Sequence, residues 1–269
     1  MRFFLMCFLA ALAVCAFIRA EEKRELSVFA AASLTESFTE LGKAFEAAHP
    51  GVIVSFSFAA SNQLRTQIAH GAKADVFASA NTKEMVSAVN FKSVNADAVQ
   101  TFARNRLVVI VPKSNPGKVA TLADLAKPGL KLIVADAAVP VGQYALDMID
   151  KLAADEKYGA AFKAGAIKNI VSQEDSVKAV VAKVRLGAAD AGVAYVSDVT
   201  PAAAKEISAI DVPDAFNQSA TYPIAPLAKA PHPQLAREFV ALVVSDEGQT
   251  VLAKYGFLRR DADKEHKQR

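Results

Sequence analysis

A chain of 269 residues with 52% hydrophobic and 22% charged side chains carries enough apolar material for one large core or two modest ones, which excludes intrinsic disorder. Its formal charge of only +3, without a basic run in the body, excludes the electrostatic footprint of a nucleic-acid-binding protein. Both cysteines, Cys7 and Cys15, fall in an N-terminal apolar segment, so the rest of the chain must rely on its core rather than on disulfides.

In residues 1–20, Arg2 precedes an apolar run from Phe3 to Ile18, and small residues at Ala16 and Ala20 offer cleavage points. This is the form of a secretory signal peptide, and the run is shorter than a membrane span requires. Losing it removes Arg2 and Arg19 and takes the charge from +3 to +1. A lipid-anchoring signal at Leu12-Ala13-Val14-Cys15 is disfavoured by bulky Val14. A soluble, exported protein is expected.

Leu26 to Ala32 reads as a strand, followed by a helix whose apolar face is Leu34, Phe38, Leu41, Phe45 and Ala48. His49-Pro50-Gly51 stops that helix. Val52 to Ala59 is the second strand, Asn62 to about His70 the second helix, and Asp75 to Ser79 a third strand. A helix after Asn81 leads to Asn105–Val111, a run apolar on both faces that suits a strand between helical layers. Thr121 and Asp124 have capping-pair spacing. Strand Leu130–Ala135, helix Gly142–Leu152, helix Asp175–Leu186 and strand Ala191–Val196 follow. The segment Tyr222–Leu227 leads into a helix through Leu235, Phe239, Leu242 and Val243, and a last helix spans about Gln249 to Tyr255.

This alternation predicts an α/β fold with mainly parallel sheets. No Pro/Gly/Ser-rich linker divides it, so two lobes would be joined along strands, with crossings near 104–108 and 219–223. Ligands of such sheets sit beyond the carboxyl ends of strands, where helices begin.

Four strand-to-helix junctions recur. Ser33 and Ser61 each close an apolar strand and open a helix, while Val141 and Val177 sit where helices begin and N–H groups have no intrahelical acceptor. Each has an ordinary explanation: Ser33 with Glu36 forms a capping box, and the valines pack a core. Tyr195 interrupts an apolar strand, and its phenol needs a partner if buried. Asp75 reads as a structural carboxylate, and Arg65 as a side chain on a solvated helix face.

Taken together, Ala30-Ala-Ala-Ser33-Leu-Thr, Phe58-Ala-Ala-Ser61, Gly71-Ala-Lys-Ala-Asp75-Val-Phe, Val139-Pro-Val-Gly142, Glu174-Asp175, Gly192-Val-Ala-Tyr195-Val-Ser-Asp198 and Lys254-Tyr-Gly-Phe257 resemble the periplasmic molybdate-binding proteins of ABC importers. The likeness runs in order from about Leu26 to Phe257. It implies a type II periplasmic binding protein with two α/β lobes around a ligand cleft. Lobe I would comprise 24–106 and 223–258, lobe II 107–222, and 259–269 a charged flexible tail.

The resemblance also implies that Ser33, Ser61, Val141, Val177 and Tyr195 bind the oxyanion, with molybdenum held only as molybdate and tungstate bound as well. Val141 stands where many relatives have Ala, and Asn62 where another Ser is frequent; neither change removes a main-chain donor. No cofactor is expected, and the implied partner is an importer permease, with the binding protein a monomer in the periplasm.

A donor-only site disfavours protonated phosphate, because its O–H wants an acceptor, whereas sulfate and molybdate are both dianions. Sulfate or another small oxyanion is therefore the alternative ligand. A secreted serine hydrolase is the rival class, but there is no Gly-x-Ser-x-Gly elbow, and His49, His70, His232 and His266 fall at helix ends, beside prolines or in the tail. A binding protein and not an enzyme is expected.

Overall fold

The computed structural model describes residues 24–260, so the expected signal peptide and tail residues 261–269 lie outside the described residues. Strand β1 (Arg24–Ala31) buries Leu26, Val28 and Ala30 completely, the alternation of a strand with one face against helices. Helix α1 (Thr35–Ala48) answers with Phe38, Leu41 and Phe45. Gly51 takes φ 78°, the left-handed turn that brings the chain back into β2 (Val52–Ala59). Then come α2 (Ser61–Ala69), β3 (Val76–Ala78), α3 (Thr82–Asn90) and β4 (Gln100–Asn105).

The second set comprises β5 (Leu107–Pro112), β6 (Leu132–Ala135), α4 (Pro140–Ala154), α5 (Gly159–Lys168), β7 (Ile170–Glu174), α6 (Val177–Arg185), β8 (Ala191–Tyr195) and β9 (Ile207–Asp211). The chain closes with β10 (Ala220–Pro226), α7 (Pro233–Val244), α8 (Asp246–Lys254) and β11 (Leu258–Arg259).

Two mixed sheets result, ordered β11-β4-β10-β3-β1-β2 and β7-β6-β8-β5-β9, giving the two-lobed periplasmic-binding-protein fold. Parallel pairing is confined to β2-β1-β3 and β7-β6-β8. The pairs among β3, β10, β4 and β11, and those of β5 with β8 and β9, are antiparallel. The expected mainly parallel character therefore describes the half of each sheet that carries the junctions. The other half includes the strands on either side of the two passages, β4 and β10 in one sheet and β5 and β9 in the other, whose antiparallel pairs need no helical crossover.

β4 ends at Asn105 in the first sheet and β5 begins at Leu107 in the second, so Arg106 alone makes the first passage. Residues 212–219 return the chain, and β10 joins the first sheet from Ala220, three residues before the expected boundary after 222. The two passages are stitched together. Arg106 donates to Val212 O at 3.2 Å and pairs with Asp214 at 2.6 Å, while Asn217 brackets Leu107 through its N–H at 2.9 Å and its carbonyl at 3.0 Å.

Several elements carry too little apolar pattern to be read beforehand. β7 and β9 each bury a single residue, Glu174 and Ile207, and α5 buries only Phe162 and Ala166 of a Gly/Ala-rich helix. β11 pairs Arg259 with Ala103, so the ordered chain reaches into the stretch expected to fray. Helix α4 starts at Pro140, two residues earlier than expected, and α8 starts at Asp246 behind a Ser245 cap.

Candidate oxyanion site between the lobes

The register of β1 on β2 explains why two serines meet. Ala31 lies opposite Ala59, and two residues beyond each strand end stand Ser33 and Ser61. In the second sheet β6 and β7 end opposite one another at Ala135 and Glu174, and the chains leaving them reach Val141 and Val177 in the first turns of α4 and α6. β8 ends at Tyr195. All five residues line one small cavity, with Ala31, Ala32, Ala59, Ala60, Ala80, Val139 and Pro140 completing its wall. The lining contains no charged side chain.

The cavity is small, about 20 Å³, room for one compact ligand and not for an extended one.

Each donor has a distinct setting. Ser33 does not cap α1: a 3-10 turn, Ala32–Leu34, precedes the helix, Leu34 is the cap residue, and Glu36 turns away. The Ser33 hydroxyl instead lies 2.9 Å from the Tyr222 hydroxyl. Ser61 Oγ accepts the N–H of Ala80 at 2.9 Å, which leaves its own proton to donate. Val141 and Val177 occupy helix positions whose N–H groups have no intrahelical acceptor, and Pro140 fixes the first turn ahead of Val141.

The Tyr195 side chain is 1% exposed, yet its hydroxyl makes no hydrogen bond with any described residue. Burial raises its pKa well above the ordinary 10.0, and Tyr222, Tyr144 and Asp198 add to the effect, so it stays a protonated donor. A buried phenol without a protein partner at the wall of a donor-lined cavity is the most unusual polar group of this site.

Gly142 is required for the third junction. A Cβ there would lie 2.1 Å from Asp136 O and 2.4 Å from Ala135 O, because the start of α4 crosses directly over the end of β6. Only a residue without Cβ lets the Val141 amide approach so closely.

A match to the bacterial extracellular solute-binding protein family covers residues 26–258. The molybdate-binding protein ModA of Mycobacterium tuberculosis is 40% identical over 236 residues, spanning 88% of this chain and 85% of the relative. The chain belongs to this solute-binding family, among the ModA proteins. The substrate-binding domain of a molybdenum ABC transporter from Clostridium difficile superposes with a TM-score of 0.64 at 27% identity, over 87% of this chain and 98% of that one. The periplasmic molybdate-binding protein of Azotobacter vinelandii shares the fold, with a TM-score of 0.75 at 22% identity over 87% and 98% of the two chains.

Around this ModA-family cavity the structure adds residues that sequence reasoning missed. Glu36 on α1 accepts from Lys178 Nζ at 2.8 and 3.0 Å, so an ion pair spans the lobes beside Val177. Lys178 also lies 3.3 Å from Asp198, whose other oxygen accepts the Tyr195 N–H at 3.1 Å. Burial alone would lower the Lys178 pKa, but the Asp198 and Glu36 carboxylates raise it. Tyr222 and Asn105 stand behind Ser33, and Tyr222 offered the same sequence signal as Tyr195: a phenol inside an apolar strand.

Asp75 is structural as expected, accepting the N–H groups of Ser27 at 2.9 Å and His232 at 2.6 Å. Arg65 is not on a solvated face: it pairs with buried Glu84 at 3.1 Å and lies over the Phe91 ring. Among the described residues no group of three or more His, Cys, Asp or Glu is placed to hold a metal ion, and no helix is long and apolar enough to cross a membrane.

Proposed function

We propose that this protein captures molybdate, and tungstate with it, between its lobes in the periplasm and delivers it to the permease of an ABC importer. The observation that carries the reading is the partnerless Tyr195 hydroxyl on a cavity shared with two serine hydroxyls and two helix N-termini. Ser33, Ser61 and Tyr195 would donate through O–H, Val141 and Val177 through N–H. Hydrogen bonds to a charged partner contribute about 1.5–3 kcal/mol each. Five of them sum to about 7.5–15 kcal/mol, a range that brackets the roughly 8 kcal/mol of micromolar binding.

The relatives named for molybdate support the choice of metal oxyanion, and the physical setting supports binding without covalent chemistry. No imidazole or carboxylate lines the cavity to activate either serine. His49 stacks on Phe45 and faces Glu238, and His232 is bound to Asp75, both away from the cavity wall. The ion pair between Glu36 and Lys178 would form as the lobes close, so that capture and closure are one event. The protein is proposed to act as a monomer without a cofactor.

A melting scan with molybdate, tungstate, sulfate and phosphate in turn tests this. At one hundred times its dissociation constant a ligand stabilises by about 2.7 kcal/mol, which for a chain of this size raises Tm by about 5–11 °C. Molybdate and tungstate are expected to give that shift and phosphate none. A shift with sulfate alone would reassign the cargo, and no shift with any oxyanion would remove the function.

A further inference from the structure

A serine hydroxyl can donate or accept, and what it offers a ligand depends on what already occupies it. For Ser61 the matter is fixed, because the Ala80 N–H can only donate to it. For Ser33 the neighbour is another hydroxyl, Tyr222, at 2.9 Å, and either oxygen can supply the proton.

The surroundings of Tyr222 decide the direction. Its side chain is fully buried, so its proton needs an acceptor within the protein. Its other hydrogen-bonding partner is Asn105 Nδ2 at 3.4 Å, which is a donor, while the Tyr195 phenol packs edge-on against it without such a bond. The orientation of Asn105 is set by its far side: Oδ1 accepts the Arg106 N–H at 3.0 Å, and Nδ2 donates to Ser197 Oγ at 2.7 Å. With an amide donor facing it, Tyr222 has Ser33 Oγ as its acceptor. The proton order then runs from Asn105 to Tyr222, from Tyr222 to Ser33, and from Ser33 into the cavity.

We propose that Tyr222, oriented by Asn105, is a specificity-determining positioning residue that locks Ser33 as a donor, so that Ser33 presents its proton and not a lone pair to the ligand. The proposal rests on the oxyanion reading above and adds to it the reason for discrimination. A fully ionised tetrahedral dianion accepts that proton. A protonated oxyanion of phosphate or arsenate brings an O–H that meets the Ser33 proton in place of a lone pair. Both crossing points of the chain enter this order, since Asn105 ends β4 beside Arg106 and Tyr222 lies in the returning strand.

Titration calorimetry of wild type, Tyr222→Phe and Asn105→Ala with molybdate and with inorganic phosphate at pH 8 tests the proposal. Removing the phenol frees Ser33 to turn a lone pair into the cavity, and the phosphate-to-molybdate affinity ratio is expected to rise by about 5- to 150-fold, the range for restoring a partner to a buried polar group. Asn105→Ala should move the ratio the same way by less. In a Ser33→Ala background Tyr222→Phe should leave the ratio unchanged. A purely structural Tyr222 would scale both affinities equally, so an unmoved ratio in both single variants overturns the assignment. Wild type binding neither anion would instead overturn the oxyanion reading itself.

Discussion

The two lobes furnish the same cavity with donors in opposite states. Both hydroxyls of the first lobe, Ser33 and Ser61, are already engaged by internal partners at 2.9 Å, Tyr222 and the Ala80 N–H. The second lobe presents the Tyr195 hydroxyl with no partner among the described residues and two first-turn amides that helices leave unpaired. The first half-site is therefore held in place by donors of its own with two hydroxyl protons to spare, and the second carries donors with no internal partner. Deleting a donor should thus have different consequences on the two sides.

The largest expected effect comes from forcing the second lobe out of place. Gly142→Ala sets a Cβ against two main-chain oxygens of the β6 end, so the start of α4 must move and take the Val141 amide with it. Overpacking costs about 1–3 kcal/mol and a lost bond to a charged ligand about 1.5–3 kcal/mol. Thermal melting and molybdate titration together should record both losses, and a variant with wild-type values in each would refute the close approach.

Next come Ser33→Ala and Tyr195→Phe, which set the lobes against each other. Each should weaken molybdate by about 1.5–3 kcal/mol, roughly 10- to 150-fold. Their unliganded stabilities should separate. Ser33→Ala leaves the buried Tyr222 phenol without its acceptor and should cost about 1–3 kcal/mol. Tyr195→Phe removes a group that has no partner to lose and should stay within about 0.5 kcal/mol of wild type. Equal melting temperatures for the two unliganded variants would erase the distinction between the half-sites.

Smallest is the interlobe ion pair. Glu36 and Lys178 side chains are 38% and 29% exposed, so solvent screens them and the pair is worth about 0.5–1 kcal/mol at most. Glu36→Gln should raise the molybdate dissociation constant by about 2- to 5-fold, an effect that fades as salt is added. A variant as tight as wild type at low salt would show that the link does not assist closure.

How far the sequence revealed this arrangement follows from the same physics. Strands with strong apolar alternation, such as Leu26 to Ala30, and helices with spaced Phe and Leu, such as Phe38 to Phe45, were legible because burial dictates their pattern. The edge strands β7 and β9 and the Ala-rich α5 were not, since so few of their side chains enter the core. All five expected site positions come together, because parallel register brings strand ends level and helices begin just beyond them. The roles around them were not legible. Ser33 had the spacing of a capping box, yet its hydroxyl goes to a tyrosine 189 residues away. Glu36, the other half of that supposed box, crosses to Lys178 instead. Local spacing records what neighbours in sequence can do, whereas such long-range partners appear only after the sheets have set their register.

The most direct measurement is a crystal structure of the protein with molybdate, with the molybdenum located by its anomalous scattering. The account predicts one molybdenum in the cavity between the lobes, its oxygens within hydrogen-bond distance of the Ser33, Ser61 and Tyr195 hydroxyls and the Val141 and Val177 amides. Molybdenum bound elsewhere, or gripped by a lysine or arginine side chain, would contradict it.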